Sequence, residues 1–214
     1  MASELLNWIQ ISLNLFGQSN TRIVWNLFLA LVPLVLSFYL FRPLVTRNLA
    51  WWAILLIFIA FLPNAPYILT DTIHIIELSH QNYPASAVFL ILIPQYILFV
   101  LGGFEAYVIS LMRLNNYLIY LKKEQYLMSV NAIAHSLCAV GIYLGRFERF
   151  NSWDLVTQPD TVILTTLEDL MDVRRIFSIA IAFMLLWVLF EITKSANIKL
   201  FNRFRDHNSA QVIQ

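Results

Sequence analysis

The feature that most constrains this chain is an uncharged stretch from Asn48 to Thr70, broken near its end by two prolines. At about 1.5 Å per residue the stretch is long enough to cross a bilayer. Pro63 and Pro66 each lack an N–H, and each disfavours helical geometry in the residue before it, Leu62 and Ala65. A helix starting near Asn48 is therefore predicted to stop winding after Leu62. That is about 20 Å in, short of a hydrocarbon core of about 30 Å. Unwound backbone at that depth must face protein or a water-filled cavity, because lipid offers it no hydrogen bonds. Asn64, Tyr67, Asp71 and His74 follow the break and line its exit.

The rest of the chain fits a membrane reading. Its 214 residues are 59% hydrophobic and only 13% charged, with a mean hydropathy of +0.68, too apolar for a soluble domain. A net charge of +1 gives no electrostatic case for nucleic acid as a partner. Cys138, the one cysteine, falls in a hydrophobic run and has no internal disulfide partner. The first twenty residues carry Glu4 and no Lys or Arg, which argues against a cleaved signal peptide.

Taken in order, the sequence predicts an all-α polytopic membrane protein, a single domain over 1–214 with five spans plus interfacial helices. Leu5–Phe16 mixes Trp, Leu and Ile with Asn and Gln and reads as an interfacial helix, with a short sixth span as the alternative. The spans are 23–41, with Pro33 at mid-depth; 49–68, with the break; 85–111, opened by Pro84; 126–145, with His135 at mid-depth; and 176–193. Between the last two lies a loop, 146–175, in which Thr161–Val173 reads as an amphipathic helix. Its polar face would hold Glu168, Asp169 and Asp172. No internal repeat, low-complexity tract or linker divides the chain.

Lys and Arg set the expected orientation. Arg42, Arg47, Arg113, Lys122, Lys123 and the tail's Lys194, Lys199, Arg203 and Arg205 share one side and outweigh Arg22, Arg146, Arg149, Arg174 and Arg175 on the other. The first side is predicted to be cytoplasmic, with the N-terminus outside and the C-terminus inside.

Three polar groups then arrive at the outer face from different helices. Trp25 and Asn26 open the first span, Asn64 to His74 close the second, and Gly145-Arg-Phe-Glu-Arg-Phe-Asn-Ser-Trp-Asp154 follows the fourth. Arg146 and Arg149, three apart, would fork onto Asp71, onto Asp154, or onto an anionic ligand. The plainer alternative is an interfacial belt of Trp, Tyr and Arg with internal salt links. The candidate ligand-binding residues are Asn26, Asn64, Tyr67, Asp71, His74, Arg146, Arg149, Asn151, Trp153 and Asp154.

Asp71, His74, Glu77 and His80 recur every third residue, so Asp71 with His74, or Glu77 with His80, would share a helix face and offer two metal ligands. All four precess by about 180° round the helix and cannot converge on one ion. Helix capping by Asp71 is the plainer reading, and no metal or cofactor is expected. Glu105 and His135 are the ionisable groups inside spans three and four. Glu105 is expected to snorkel towards Lys122 or Arg113, and His135 to stay neutral against a neighbouring carbonyl. No GxSxG, P-loop, GxGxxG or CxxC motif is present.

The segments Val24-Trp-Asn-Leu-Phe-Leu-Ala-Leu-Val-Pro33, Phe61-Leu-Pro-Asn-Ala-Pro-Tyr-Ile-Leu-Thr-Asp-Thr-Ile-His74 and Gly141-Ile-Tyr-Leu-Gly-Arg-Phe-Glu-Arg-Phe-Asn-Ser-Trp-Asp154 resemble the bacterial integral-membrane family catalogued as domain of unknown function 1361. The resemblance covers about residues 20 to 195. It implies a small multi-pass protein of a bacterial cell membrane, or of the thylakoid in a cyanobacterium, and supplies no activity. The residues themselves favour a membrane-embedded protein that binds or moves a small anionic ligand or a lipid headgroup at the outer face. One alternative is an enzyme acting on a lipid-borne substrate, with Asp71 and His74 as general base or metal ligands. The other is an accessory subunit docking a membrane-protein partner.

Overall fold

The computed structural model describes residues 2–73, 76 and 83–211, and among these it contains helices and connections but no strand. Among the described residues five helices are long and apolar enough to cross a membrane. α1 runs Ala2–Leu40, α2 Leu49–Thr72, α3 Ala85–Tyr120, α4 Glu124–Glu148 and, after two short helices (α5, Asp154–Thr157, and α6, Pro159–Asp169), α7 runs Val173–Gln211.

The N-terminal segment is not a separate interfacial helix. α1 is continuous for 39 residues, because nothing between Phe16 and Ile23 stops it: Gly17 weakens a helix but does not break one, and Pro33 is absorbed within it. Leu15 is fully buried, and the Trp8 indole N–H donates to Ser86 Oγ at 3.1 Å, tying the early turns of α1 to the start of α3. Continuity also carries Arg22 and Asn26 onto one rod rather than onto a hinge between two helices.

The second expectation to fall is the unwinding of α2. Leu62, Pro63, Tyr67 and Ile68 all keep right-handed helical angles. Leu62 N–H donates to Phe58 at 2.9 Å, Tyr67 N–H donates to Pro63 at 3.0 Å, and the chain tightens into a 3-10 turn over Ile68–Thr72. The carbonyls at the break are taken locally. Ala65 N–H reaches Leu62, Asn64 Nδ2 donates to the Phe61 carbonyl at 3.0 Å, and Thr70 Oγ1 donates to the Tyr67 carbonyl at 2.8 Å. The prolines thus tighten the helix rather than open it: Ala65 N–H takes the Leu62 carbonyl that Pro66 cannot serve, and side chains take the Phe61 and Tyr67 carbonyls.

Other boundaries move outward. α3 extends past 111 to Tyr120 and contains a π turn, Val88–Leu92, just before Pro94, where the ladder must skip a donor. α4 ends in a π turn, Leu144–Glu148, closed by Arg149 in a left-handed conformation (φ 61°). α7 starts before 176 and runs well beyond 193. The amphipathic helix of the loop is Pro159–Asp169, not Thr161–Val173, and Asp169 is buried rather than on its polar face.

The bent tip of α2 is the centre of the bundle. It touches α1, α3 and α4, while α1 packs along α2 and α3, and α7 lies along α4. Three glycines make room for the tip. A Cβ on Gly141 would stand 2.6 Å from Pro63 Cβ, one on Gly145 would meet the Tyr67 ring at 3.0 Å, and one on Gly103 would overlap Ile68. Small residues where helices approach closely are how apolar helices associate where lipid supplies no hydrophobic drive.

The two ionisable side chains expected inside the third and fourth spans, Glu105 and His135, each meet a side chain of a neighbouring helix. Tyr107 pairs with His135 Nδ1, so the histidine leans on a hydroxyl rather than on the expected carbonyl, and Trp187 and Phe190 rings surround it at 5.1 and 5.0 Å. Glu105 accepts from Asn197 on α7 instead of snorkelling to Lys122 or Arg113. At the end of the bundle opposite the α2 tip, Arg47 donates to the Tyr117 hydroxyl at 3.2 Å, and Arg113 lies 4.0 Å over the Phe38 ring.

Candidate functional site

Beside the α2 tip, a cavity of about 650 Å³ opens between α1, α2, α4 and the loop after α4. Each wall has a local cause. α1 contributes Arg22, Trp25, Asn26 and Leu29, residues three and four apart that share one helix face. α2 contributes Ala60, Pro63, Asn64, Tyr67 and Asp71. From the end of α4 and its loop come Gly141, Leu144, Gly145, Arg146, Arg149, Phe150, Asn151 and Ser152, with Leu155 and Val162 closing the rim.

Seven of the ten candidate residues read from the sequence line this cavity: Asn26, Asn64, Tyr67, Asp71, Arg146, Arg149 and Asn151. Trp153 is 42% exposed and does not line it. Asp154 is buried beside it for another purpose. Its Oδ2 accepts the Asn151 backbone N–H at 2.6 Å and its Oδ1 meets Thr157 Oγ1 at 3.4 Å, closing the turn that starts α5. That backbone hydrogen bond holds the Asp154 carboxyl below its ordinary range. His74 lies outside the described residues, as do Glu77 and His80 and therefore both candidate metal pairs. Among the described residues no group of three or more His, Cys, Asp or Glu is placed to hold an ion.

Within the cavity, Asn26 Nδ2 donates to Asp71 Oδ2 at 2.5 Å, and Asp71 is only 4% exposed. Asn64 Nδ2 donates to Ser152 Oγ at 2.7 Å as well as to its own helix, so it stitches the α2 tip to the loop after α4. The two segments meet, but not through the ion pair expected from the sequence. Neither Arg146 nor Arg149 makes an ion pair or side-chain hydrogen bond with any described residue. Among the described residues the only acidic one lining the cavity is Asp71, against three guanidiniums. By formal charge the cavity is cationic.

Sequence reasoning missed Ser152 and Arg22 as parts of this site. Ser152 sits in a segment dense in charged and aromatic residues, where a hydroxyl carries no signal of its own. Arg22 was legible only as the flank of a span. It becomes a wall because α1 continues through it. The reverse error is Asp154, whose charge suggested a ligand contact and whose carboxylate instead caps a turn.

No curated protein and no solved structure matches the chain. A family model does: residues 25–188, which hold most of the cavity-lining residues and all three glycines around the α2 tip, match the family described as protein of unknown function (DUF1361), and the chain belongs to that family.

Proposed function

We propose that this protein is a multi-pass protein of a bacterial cell membrane that binds an anionic ligand in the cavity beside the α2 tip. The observation that carries the reading is the pair Arg146 and Arg149. Both face a cavity of about 650 Å³ and neither is neutralised by a described side chain. Two neighbouring guanidiniums without a counter-charge offer charged donors in a fork that an anion can take, and such charge-assisted hydrogen bonds are stronger than neutral ones. Asn151 and Ser152 add polar groups to the same wall, and Trp25 and Tyr67 offer ring faces. The Lys and Arg distribution supports an extracytoplasmic site, with the N-terminus outside and the C-terminus in the cytoplasm.

Titration of the detergent-solubilised protein with glycerol phosphate in a calorimeter tests the reading. Saturable binding is expected, weakening as salt is added and falling at least tenfold in Arg146→Gln and in Arg149→Gln, with glycerol giving no heat. Binding that is undetectable in the wild type, or unchanged in both variants, would overturn it.

A further inference from the structure

The cavity has a neighbour. A second, shallower groove of about 610 Å³ runs along α1, lined by Asn20, Thr21, Val24, Trp25 and Phe28. Trp25 lines both spaces. It borders both the arginine-lined cavity and a strip of apolar side chains, with Val24 57%, Trp25 52% and Phe28 56% exposed. Trp25 and Phe28 stack at 5.9 Å and give the groove a continuous aromatic floor.

Resting on the anion-binding reading above, we infer that the ligand is a phospholipid that enters sideways past Trp25, its phosphate on Arg146 and Arg149 and an acyl chain in the α1 groove. Any helix facing lipid touches acyl chains, so an apolar strip alone carries no such meaning. Here the strip opens into a cationic cavity across a single shared residue. The two together match an amphipathic ligand, polar and anionic at one end and apolar at the other. Arg22, on the same helix face as Asn26, lines the cavity and is flanked in sequence by Thr21 and Val24 of the groove. An indole at that boundary suits the role, with an apolar body for the chain and an N–H at the polar edge. A free phosphate would use the arginines and leave the groove without a purpose. The phosphate chemistry is shared by both sources, and the groove is what separates them.

The test compares lipid retention with binding of the soluble headgroup. Protein purified in mild detergent and incubated with phosphatidylglycerol is expected to retain about one molecule per chain in native mass spectrometry, in preference to phosphatidylcholine. The double change Val24→Asn with Phe28→Asn should lower retention at least fivefold while glycerol phosphate still binds as in the wild type. Arg146→Gln with Arg149→Gln should lose both. A second measurement does not depend on polar groove variants folding well. Phosphatidylglycerol brominated on its acyl chains should quench tryptophan fluorescence more than brominated phosphatidylcholine, and Trp25→Phe should abolish the excess. Equal quenching by the two lipids, or full retention by the groove variant, sinks the lipid proposal and leaves the anion-binding reading standing. A wild type that binds neither lipid nor glycerol phosphate sinks both.

Discussion

Arg175 and the pair Arg146 and Arg149 lie at the same end of the bundle and have opposite fates. The Arg175 guanidinium contacts Asp169, stands 3.9 Å from Glu148 and 3.6 Å from Asp172, and so ties α6 and the end of α4 to the first turn of α7. Arg146, on the last turn of α4, and Arg149, which closes it, line the cavity, and the one carboxylate there among the described residues accepts from Asn26. Identical chemistry serves as a clamp in one place and stays open in the other. The difference lies in neighbouring carboxylates. The end of α4, the end of α6 and the turn after it bring Glu148, Asp169 and Asp172 to Arg175, whereas the α2 tip brings one amide, a hydroxyl-bearing ring and an acid that accepts from Asn26.

The contrast is broken most directly at the clamp. Arg175→Gln leaves Asp169, 1% exposed, without its cation. Breaking a buried pair is expensive, but Arg175 is 40% exposed and partly screened, so a loss of about 2 kcal/mol is expected. Thermal unfolding in detergent checks it, with Arg146→Gln as reference, which should stay within about 0.5 kcal/mol of wild type. If the two substitutions shift the melting temperature alike, the distinction between clamp and cavity disappears.

A smaller effect of opposite sign is expected at Arg149. Its left-handed backbone, φ 61°, is the helix-ending position that glycine fills without strain. Arg149→Gly should therefore stabilise the fold by about 1 kcal/mol while weakening glycerol phosphate binding. Strain kept at a binding residue is the pattern expected when the side chain is retained for its ligand. A loss of stability in this variant would mean that the guanidinium has a structural partner after all.

The smallest effect concerns pH. The Asn151 N–H holds the Asp154 carboxyl below its ordinary value, so its pKa is lower folded than unfolded. The stability this gives is present above the unfolded value of about 3.9 and is lost as pH falls through the folded one. Hydrogen exchange at the Asn151 to Gln158 turn should quicken in acid, and Asp154→Asn should remove that dependence.

Much of the architecture follows from local rules and could be read without coordinates. A stretch such as Leu49–Phe61 has no polar side chain to expose and must be a helix in an apolar setting, and the runs that become α3, α4 and α7 behave alike. The place of the cavity was legible for a similar reason. Polar residues at the ends of apolar runs are forced to one face or the other, so Asn26, Asn64, Asp71 and Arg146 had to arrive at the same level.

What only the tertiary structure decided is which groups are paired, because pairing depends on distances across helices that no spacing within one helix encodes. Proline at 63 and 66 predicts lost hydrogen bonds, yet whether the backbone opens or bends depends on side chains such as Asn64 and Thr70 being free to reach back. Asp71 accepts from Asn26, and not from Arg146 or Arg149, because α1 continues unbroken and brings its amide alongside. Asp169, a surface residue by helical periodicity, is buried because α7 begins with a cation beneath it. Gly103, Gly141 and Gly145 read in sequence only as weak points in helices. In three dimensions they are the places where the α2 tip fits, since a Cβ at any of them would collide with Ile68, Pro63 or Tyr67.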